Sequence, residues 1–276
     1  MLSNFHTHCS FCHGVGHPEE YVMQALKKGF SGLGFSCHGT APFITEWSMS
    51  DETTKEYLKT IDNLKNRYKD NIQIYKGMEI DYFSGYANNI FRKYDLDYII
   101  GSIHFINAAA GGKCFVIDGN LEEFEETLNM CSGSSIEKLV HRYYEIVLEM
   151  LQNNRIDILG HLDIVKKNNI NDRFFNEREK WYVNLVKNVV EKVAQHNVIV
   201  EVNTGGIARG YTNEIYPSEW IIRECKNWEI PITLSSDAHL PENIDFYFEE
   251  AKEIIRSAGY SELCEIHDGK WVGKKI

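Results

Sequence analysis

The sequence lacks any long run of apolar residues. No run approaches the roughly 18 consecutive apolar residues that a membrane-spanning helix needs, and the amino-terminal region has no basic stretch followed by an apolar one. We therefore expect neither a transmembrane span nor a secretory signal, and no membrane partner. A cytoplasmic location is the default expectation.

Basic residues are also fewer than acidic ones. The chain has 29 Lys and Arg residues against 40 Asp and Glu residues, which gives a formal net charge of −11. Non-specific binding to nucleic acid needs a basic surface. We therefore expect no nucleic-acid partner, whereas an acidic chain suits a site that collects divalent cations.

A disulfide framework is equally absent. The 7 cysteines are odd in number and irregularly spaced, so they do not indicate paired disulfides. Cys9 and Cys12 form the one C-x-x-C pair, but no second pair follows and no thioredoxin-like context surrounds it. The favoured interpretation is packing inside a loop of ligands. A redox pair or half of a zinc site remains an alternative.

What the chain does have is an alternation of strand-like and helix-like segments. The predicted strands are 2–7, 31–36, 72–80, 98–103, 156–160, 198–202 and 232–235. The predicted helices are 18–28, 51–69, 121–130, 134–151, 174–195, 217–226 and 244–257, and a hairpin is predicted after residue 260. This alternation indicates a parallel sheet, most simply closed into an α/β barrel, and we expect one domain over residues 1–276.

Metal-ligand residue types end six of the seven predicted strands. In such barrels the chemistry lies at the carboxyl ends of the strands. The ligand candidates at these ends are His6, His8, His38, Glu79, His104, His161, Asp237 and His239. His13 follows strand one in a loop that can fold back over the same end. Nine ligands exceed what one ion needs, so two or three ions bridged by Glu79 are expected.

Seven motifs together resemble the PHP (polymerase and histidinol phosphatase) superfamily. They are 6–8 (His-Thr-His), 12–14 (Cys-His-Gly), 34–38 (Gly-Phe-Ser-Cys-His), 77–81 (Gly-Met-Glu-Ile-Asp), 101–104 (Gly-Ser-Ile-His), 160–163 (Gly-His-Leu-Asp) and 236–239 (Ser-Asp-Ala-His). The resemblance implies a distorted (β/α)7 TIM-like barrel with a trinuclear metal site. It implies one ion on His6, His8, Glu79 and Asp237, a second on Glu79, His104 and His161, and a third on His13, His38 and His239.

Within that superfamily the chain is most similar to the histidinol-phosphate phosphatases. The resemblance implies a phosphate monoester hydrolase that converts L-histidinol phosphate to L-histidinol and phosphate in histidine biosynthesis, by attack of a metal-bridging hydroxide. The expected catalytic residues are Glu79, Asp237, His239 and Asp163, of which Asp163 is a candidate general acid or an orienting partner for a ligand. The three divalent ions are zinc, iron or manganese.

Substrate contacts are less clearly indicated. Arg209, in the glycine-rich loop after strand six, is the favoured phosphate-binding residue because it follows a strand end and offers a planar guanidinium. Arg173 and Arg155 are weaker candidates. The pocket for the imidazole end is expected near Trp47 and the excursion 107–133. The pattern does not indicate an oligomeric state.

Two classes of alternative remain open. A PHP-type nuclease, a phosphodiesterase or another small-molecule phosphatase would share the metal site, although a nuclease should show a basic groove. A non-catalytic metal-binding barrel is the second class. Structural sites are closed by their ligands, whereas nine ligands for three ions leave positions open for substrate.

Overall fold

The computed structural model describes residues 2–276, which form a seven-stranded parallel sheet with strand order β1-β2-β3-β4-β7-β8-β9. These strands are β1 (Leu2–Asn4), β2 (Phe30–Phe35), β3 (Gln73–Asp81), β4 (Tyr98–Ser102), β7 (Ile158–Leu159), β8 (Ile199–Asn203) and β9 (Ile232–Ser235). The helices are α1 (Pro18–Lys27), α2 (Asp51–Tyr68), α3 (Leu121–Ser132), α4 (Ile136–Asn153), α5 (Lys180–Val193), α6 (Gly205–Ala208), α7 (Glu219–Asn227) and α8 (Phe248–Ser257).

The first and last strands of this sheet meet just beyond their carboxyl ends. The backbone N–H of His8 donates to the carbonyl of Ala238 at 2.8 Å, and the N–H of Ala238 donates to the carbonyl of His6 at 3.2 Å. These bonds bring the sheet close to a closed ring. The predicted seven-stranded α/β barrel is therefore confirmed.

Helices α4 and α7 begin two residues later than the sequence pattern predicts, and two others begin still later. Helix α5 starts at Lys180, not at residue 174, because the side chain of Asn169 accepts hydrogen bonds from the N–H groups of Phe174 and Phe175. Helix α8 starts at Phe248, not at residue 244, because Tyr247 has a left-handed φ of 63° that interrupts the helix. Local hydrogen bonds and backbone conformation thus make both helices shorter than their apolar patterns predict.

The amino-terminal ends of the strands are covered by the predicted hairpin, formed by β10 (Glu262–His267) and β11 (Lys270–Lys275). The ring of Trp271 packs on the ring of Phe5 with centroids 5.0 Å apart. The hydroxyl of Tyr75 donates to the carbonyl of Ile266 at 2.7 Å. The hairpin therefore packs against this end of the barrel, and the polar cluster described below lies at the opposite end.

The excursion after β4 lies on the side of the strands' carboxyl ends. It consists of a short antiparallel hairpin, β5 (Phe105–Ile106) and β6 (Phe115–Val116), followed by helix α3. It begins directly after His104, and the residues between β6 and α3 form one wall of the cavity described below. Among residues 2–276, no helix combines the length and the apolar character needed to cross a membrane.

Candidate metal centre

The nine predicted metal ligands converge at the carboxyl ends of the strands. All of them except His13 and His239 are at most 6% exposed, so most of the cluster is out of contact with bulk water. The cluster forms the floor of a cavity of about 420 Å³. The structure therefore brings the nine predicted ligand residues together at one end of the barrel.

Glu79 lies at the centre of the cluster. Its two carboxylate oxygens face different sets of imidazoles, at distances from 3.1 to 3.6 Å. Oε2 lies 3.1, 3.2 and 3.3 Å from the Nε2 atoms of His6, His8 and His38, and Oε1 lies 3.1 and 3.6 Å from those of His161 and His104. A carboxylate that presents one oxygen to each of two ligand groups has the geometry of a bridge between ions.

Asp237 supplies the second carboxylate. Its Oδ1 atom lies 3.2 Å from Nε2 of His8 and 3.6 Å from Nε2 of His6. The backbone of Asp237 has a left-handed φ of 47°, an uncommon conformation for a residue other than glycine. This conformation directly after β9 is consistent with a residue whose position the site requires.

The outer part of the cluster is formed by His13 and His239. Their Nε2 atoms are 2.6 Å apart, and the ring of His13 also lies 5.2 Å from the ring of His8 and 5.1 Å from that of His38. The loop that follows β1 thus folds back over the strand ends, as the sequence predicts. His13 belongs to a different part of the cluster from His6.

Two carboxylates that the sequence did not single out orient the imidazoles. Nδ1 of His6 donates to Oε1 of Glu201 at 2.6 Å, and Nδ1 of His104 donates to Oδ1 of Asp81 at 2.7 Å. Because a carboxylate only accepts, each Nδ1 carries a proton, and each Nε2 faces the cavity, where a metal ion can take the place of a proton. A signal was present for both residues: Glu201 is the one charge in an apolar strand, and Asp81 lies two residues after Glu79.

The Nε2 atoms that face the cavity lie close to one another. Nε2 of His6 lies 3.1 Å from Nε2 of His8, and Nε2 of His104 lies 3.2 Å from Nε2 of His161. Two atoms that bind one ion at about 2.1 Å are about 3.0–3.4 Å apart in octahedral or tetrahedral geometry. The donor set and its spacing therefore fit imidazole- and carboxylate-bound divalent ions.

The electrostatic field of the site is negative. Burial alone would lower the pKa of His6, but the carboxylates of Glu201, Glu79 and Asp237 raise it to about 10. Burial likewise opposes protonation of His104, yet Asp118, Asp81 and Glu79 raise its pKa to about 10. The field that stabilises these imidazolium ions also attracts divalent cations.

Two cationic side chains line the cavity beside the ligands. Arg209, the predicted phosphate-binding residue, donates from Nη2 to Oδ2 of Asp237 at 2.9 Å. Lys167, which the sequence did not single out, has its ammonium 4.3 Å from the centroid of the Tyr211 ring. Arg209 therefore lies where its proposed role requires, and Lys167 is a second candidate for the same anion.

Asp163 is not brought to the cavity. Its Oδ2 atom accepts from the N–H of Ser218 at 2.9 Å and lies 3.2 Å from the ammonium of Lys166. Within residues 2–276 it makes no hydrogen bond to His161, and it is completely buried away from the cavity wall. The structure thus gives it neither the position of a general acid nor that of an orienting partner, because its carboxylate holds the loop around Ser218.

Of the remaining residues predicted to contact substrate, one lines the cavity and two do not. Trp47 lines the cavity, stacks on Phe105 with centroids 5.2 Å apart, and donates from Nε1 to Asp81 at 3.0 Å. Arg173 instead pairs with Glu125 at 3.3 Å on the surface, and Arg155 does not line the cavity. The loop of Trp47 is therefore part of the pocket, while the two weaker arginine candidates are not.

A model of the PHP domain matches residues 4–205, which include seven of the nine ligands. The chain belongs to the PHP domain family. The match ends before Asp237 and His239, which follow β9 and complete the cluster beside His6 and His8.

Several relatives of this PHP protein carry a common description. The chain is 29% identical to a protein of Deinococcus radiodurans named "Probable histidinol-phosphatase", over 94% of each chain. It is 27% identical to the histidinol-phosphatase of Bacillus subtilis, over 88% of this chain and 96% of the relative. The crystal structure of the histidinol phosphate phosphatase of Lactococcus lactis, complexed with zinc, L-histidinol and phosphate, superposes with a TM-score of 0.75 at 21% identity, over 98% of each chain. That last likeness shows the shared fold.

Proposed function

We propose that this PHP protein is a metal-dependent phosphate monoester hydrolase that converts L-histidinol phosphate to L-histidinol and phosphate. The observation that carries the proposal is the cluster of Glu79 and eight other predicted ligands, which opens into a cavity that two cationic side chains also line. Relatives named histidinol-phosphatases, aligned over most of both chains, support the choice of substrate.

The proposed metal content is three divalent ions, with zinc as the first candidate and iron or manganese as others. The zinc in the crystal structure of the lactococcal relative supports this choice. The proposed ligand groups are His6, His8, Glu79 and Asp237 for one ion, Glu79, His104 and His161 for another, and His13, His38 and His239 for the third. When bound, such ions neutralise phosphoryl oxygens and lower the pKa of water, which is how they promote hydrolysis of a monoester dianion.

Other residues of the protein would orient the imidazoles and bind the phosphate. Glu201 and Asp81 hold two imidazoles with Nε2 toward the cavity, so that the ligands need no rearrangement on binding. Arg209 and Lys167 face the same cavity and would bind phosphoryl oxygens that the ions leave free. Because Arg209 already donates to Asp237, it would link the phosphate to a metal ligand.

The far end of the substrate carries an amine and an imidazole. The cavity is also lined by Asp118 and Glu123 from the excursion and by Glu46 beside Trp47. Carboxylates suit a protonated amine, and the indole face suits a planar imidazole. A cavity lined by carboxylates as well as by Arg209 and Lys167 therefore suits an amino alcohol phosphate better than a polynucleotide.

The test is a comparison of three substrates with zinc-loaded protein: L-histidinol phosphate, a generic aryl phosphate and a phosphodiester. We expect the highest kcat/KM for L-histidinol phosphate and little cleavage of the diester. Glu79→Gln should lower the rate at least about a hundredfold, while the exposed Glu249→Gln serves as the matched control. Cleavage of the diester alone would support the nuclease alternative. Tight zinc binding without cleavage of any substrate would support a metal-binding barrel.

A further inference from the structure

Three cysteines form a thiol cluster directly behind the metal ligands: Cys9, Cys12 and Cys37. The Sγ atoms of Cys9 and Cys37 are 3.2 Å apart, and both residues are completely buried. Cys12 is partly exposed, and its Sγ lies 3.4 Å from Nδ1 of His8. Nδ1 of His8 and the sulfurs of Cys12 and Cys37 all lie within 4.8 Å of one another. The metal-binding role proposed above leaves these thiols without a function.

The backbone holds these sulfurs in place. The carbonyl of Cys9 accepts hydrogen bonds from the N–H of Cys12 at 3.1 Å and of Gly14 at 3.2 Å, which fold the loop into a tight turn. A Cβ atom on Gly14 would lie 2.5 Å from the backbone of His8 and Cys9, so the turn requires glycine there. The N–H of Cys9 lies 3.4 Å from the sulfur of Cys37 and points at it. The three thiols are therefore pre-positioned by the same loop that carries His13.

We propose that this thiol cluster is a reversible oxidation site, in which hydrogen peroxide leads to a disulfide between Cys9 and Cys37. Cys12, the one partly exposed residue of the three, reacts first: its sulfur attacks one peroxide oxygen, the O–O bond breaks, and the products are a sulfenic acid and water. The thiol of Cys37 then displaces hydroxide from that sulfur, which forms a Cys12–Cys37 disulfide and a second water. Finally the sulfur of Cys9 attacks that of Cys37 and releases Cys12 as a thiol.

The balance of this sequence is two thiols and one peroxide giving one disulfide and two waters. The sulfurs lose two electrons and the peroxide gains them. The route explains how two buried thiols can be oxidised, since the oxidant needs to reach only Cys12. Cys37 is common to both disulfides, so the reaction depends on it at each bond-forming step between sulfurs.

Oxidation of the cluster should disturb the metal site. A disulfide needs an S–S distance of about 2.05 Å, so the two sulfurs must approach each other by about 1 Å from their 3.2 Å separation. Cys9 follows His8 in the chain and Cys37 precedes His38, and ligand positions tolerate displacements of only a few tenths of an ångström. We therefore expect the oxidised protein to bind its ions more weakly and to be less active.

The test uses zinc-loaded full-length protein, because zinc has no redox chemistry of its own. The protein is treated with a small molar excess of hydrogen peroxide, and free thiols, disulfide-linked peptides, bound zinc and aryl phosphatase activity are measured. We expect a loss of two thiols, a peptide link between Cys9 and Cys37, partial zinc release, an activity loss of at least about fivefold, and recovery of activity after treatment with dithiothreitol and zinc.

Cys37→Ala should keep its activity under the same treatment, while the matched control Cys264→Ala, which changes a thiol in β10, should respond like the unaltered protein. Absence of any Cys9–Cys37 link would overturn the proposal, as would equal inactivation of Cys37→Ala. Zinc retained on these thiols in addition to the ions at the histidine cluster would also overturn it, because the thiols would then be ligands.

If Cys37→Ala does not fold, peptide mapping of the unaltered protein decides the question. Only the activity measurement rests on the proposed function. A Cys9–Cys37 link with zinc release in a protein that cleaves no phosphate ester would refute that function and leave the oxidation site standing.

Discussion

The Nδ1 atom of His6 lies 2.6 Å from Oε1 of Glu201, and neither side chain is accessible to solvent. The two residues are 195 positions apart in the chain. Glu201 also accepts from the backbone N–H of His161 at 2.9 Å. One buried carboxylate on β8 thus holds the ring of one ligand and the backbone of another, although β8 itself supplies no ligand to the proposed metal site.

Glu201→Gln should weaken metal binding without unfolding the barrel. The amide keeps an acceptor for Nδ1 of His6 but loses the negative charge that makes this imidazole a strong ligand. Loss of such an orienting partner typically costs about 10–100-fold in metal affinity. Zinc dissociation constants from competition with a coloured chelator would measure the effect, and Glu265→Gln on the hairpin is the control. An unchanged dissociation constant would refute the orienting role.

His13→Ala should deplete one ion selectively. His13 lies in the outer part of the cluster next to His239, whereas His6 contacts Glu79 and Asp237. Elemental analysis of purified His13→Ala should therefore show the loss of about one ion, with the others retained. Glu79→Gln should instead lower the other two, because Glu79 is a proposed ligand of both. Equal depletion in the two variants would contradict the division of the cluster.

Arg209→Ala should lower kcat/KM by about 10–100-fold, which corresponds to the roughly 1.5–3 kcal/mol of a hydrogen bond to a charged group. The affinity for inorganic phosphate should fall in parallel, while Arg173→Ala, which removes a surface arginine, should behave like the unaltered protein. Metal content must be measured as well, because Arg209 also donates to Asp237. A fall in kcat/KM of less than about threefold would exclude phosphate binding by Arg209.

Lys167→Ala should act on the same step as Arg209→Ala. Its ammonium lines the cavity and lies over Tyr211, so we expect a similar loss of phosphate affinity with unchanged metal content. Lys167→Arg should restore part of the affinity because it keeps the charge. A normal phosphate affinity in Lys167→Ala would limit the phosphate site to Arg209 and the ions.

Removal of the metal should lower thermal stability. A ligand present at 1,000 times its dissociation constant stabilises the folded state by about 4 kcal/mol per site, and each kcal/mol shifts the Tm of a domain of this size by roughly 2–4 °C. Treatment with a strong chelator should therefore lower the Tm by at least about 5 °C, measured by differential scanning fluorimetry. Glu79→Gln should respond far less, and an equal response would locate the stabilising metal elsewhere.

Much of the fold and of the ligand set follows from local patterns. Alternation of strand and helix segments predicts the barrel, and the placement of His, Asp and Glu at strand ends predicts where they meet. His6 and His8 illustrate the reason: a strand predicted over residues 2–7 places side chains two residues apart on the same face, and in the structure both rings contact Glu79 although β1 ends at Asn4. Helix boundaries such as those of α5 are less predictable because a single side chain, Asn169, ends the preceding loop.

The sequence by itself determined the residue types of the metal centre and the end of the barrel at which they lie. Only the tertiary structure decided which further side chains serve it: Glu201, Asp81 and Lys167 are brought in, and Asp163 is turned toward Ser218. The reason is that an orienting contact joins residues far apart in the chain, and its geometry depends on the sheet register and the loop packing. The loop from Cys9 to His13 illustrates both cases. His13 is predicted as a ligand from the sequence, whereas the contact of Cys9 with Cys37 exists only in the folded barrel.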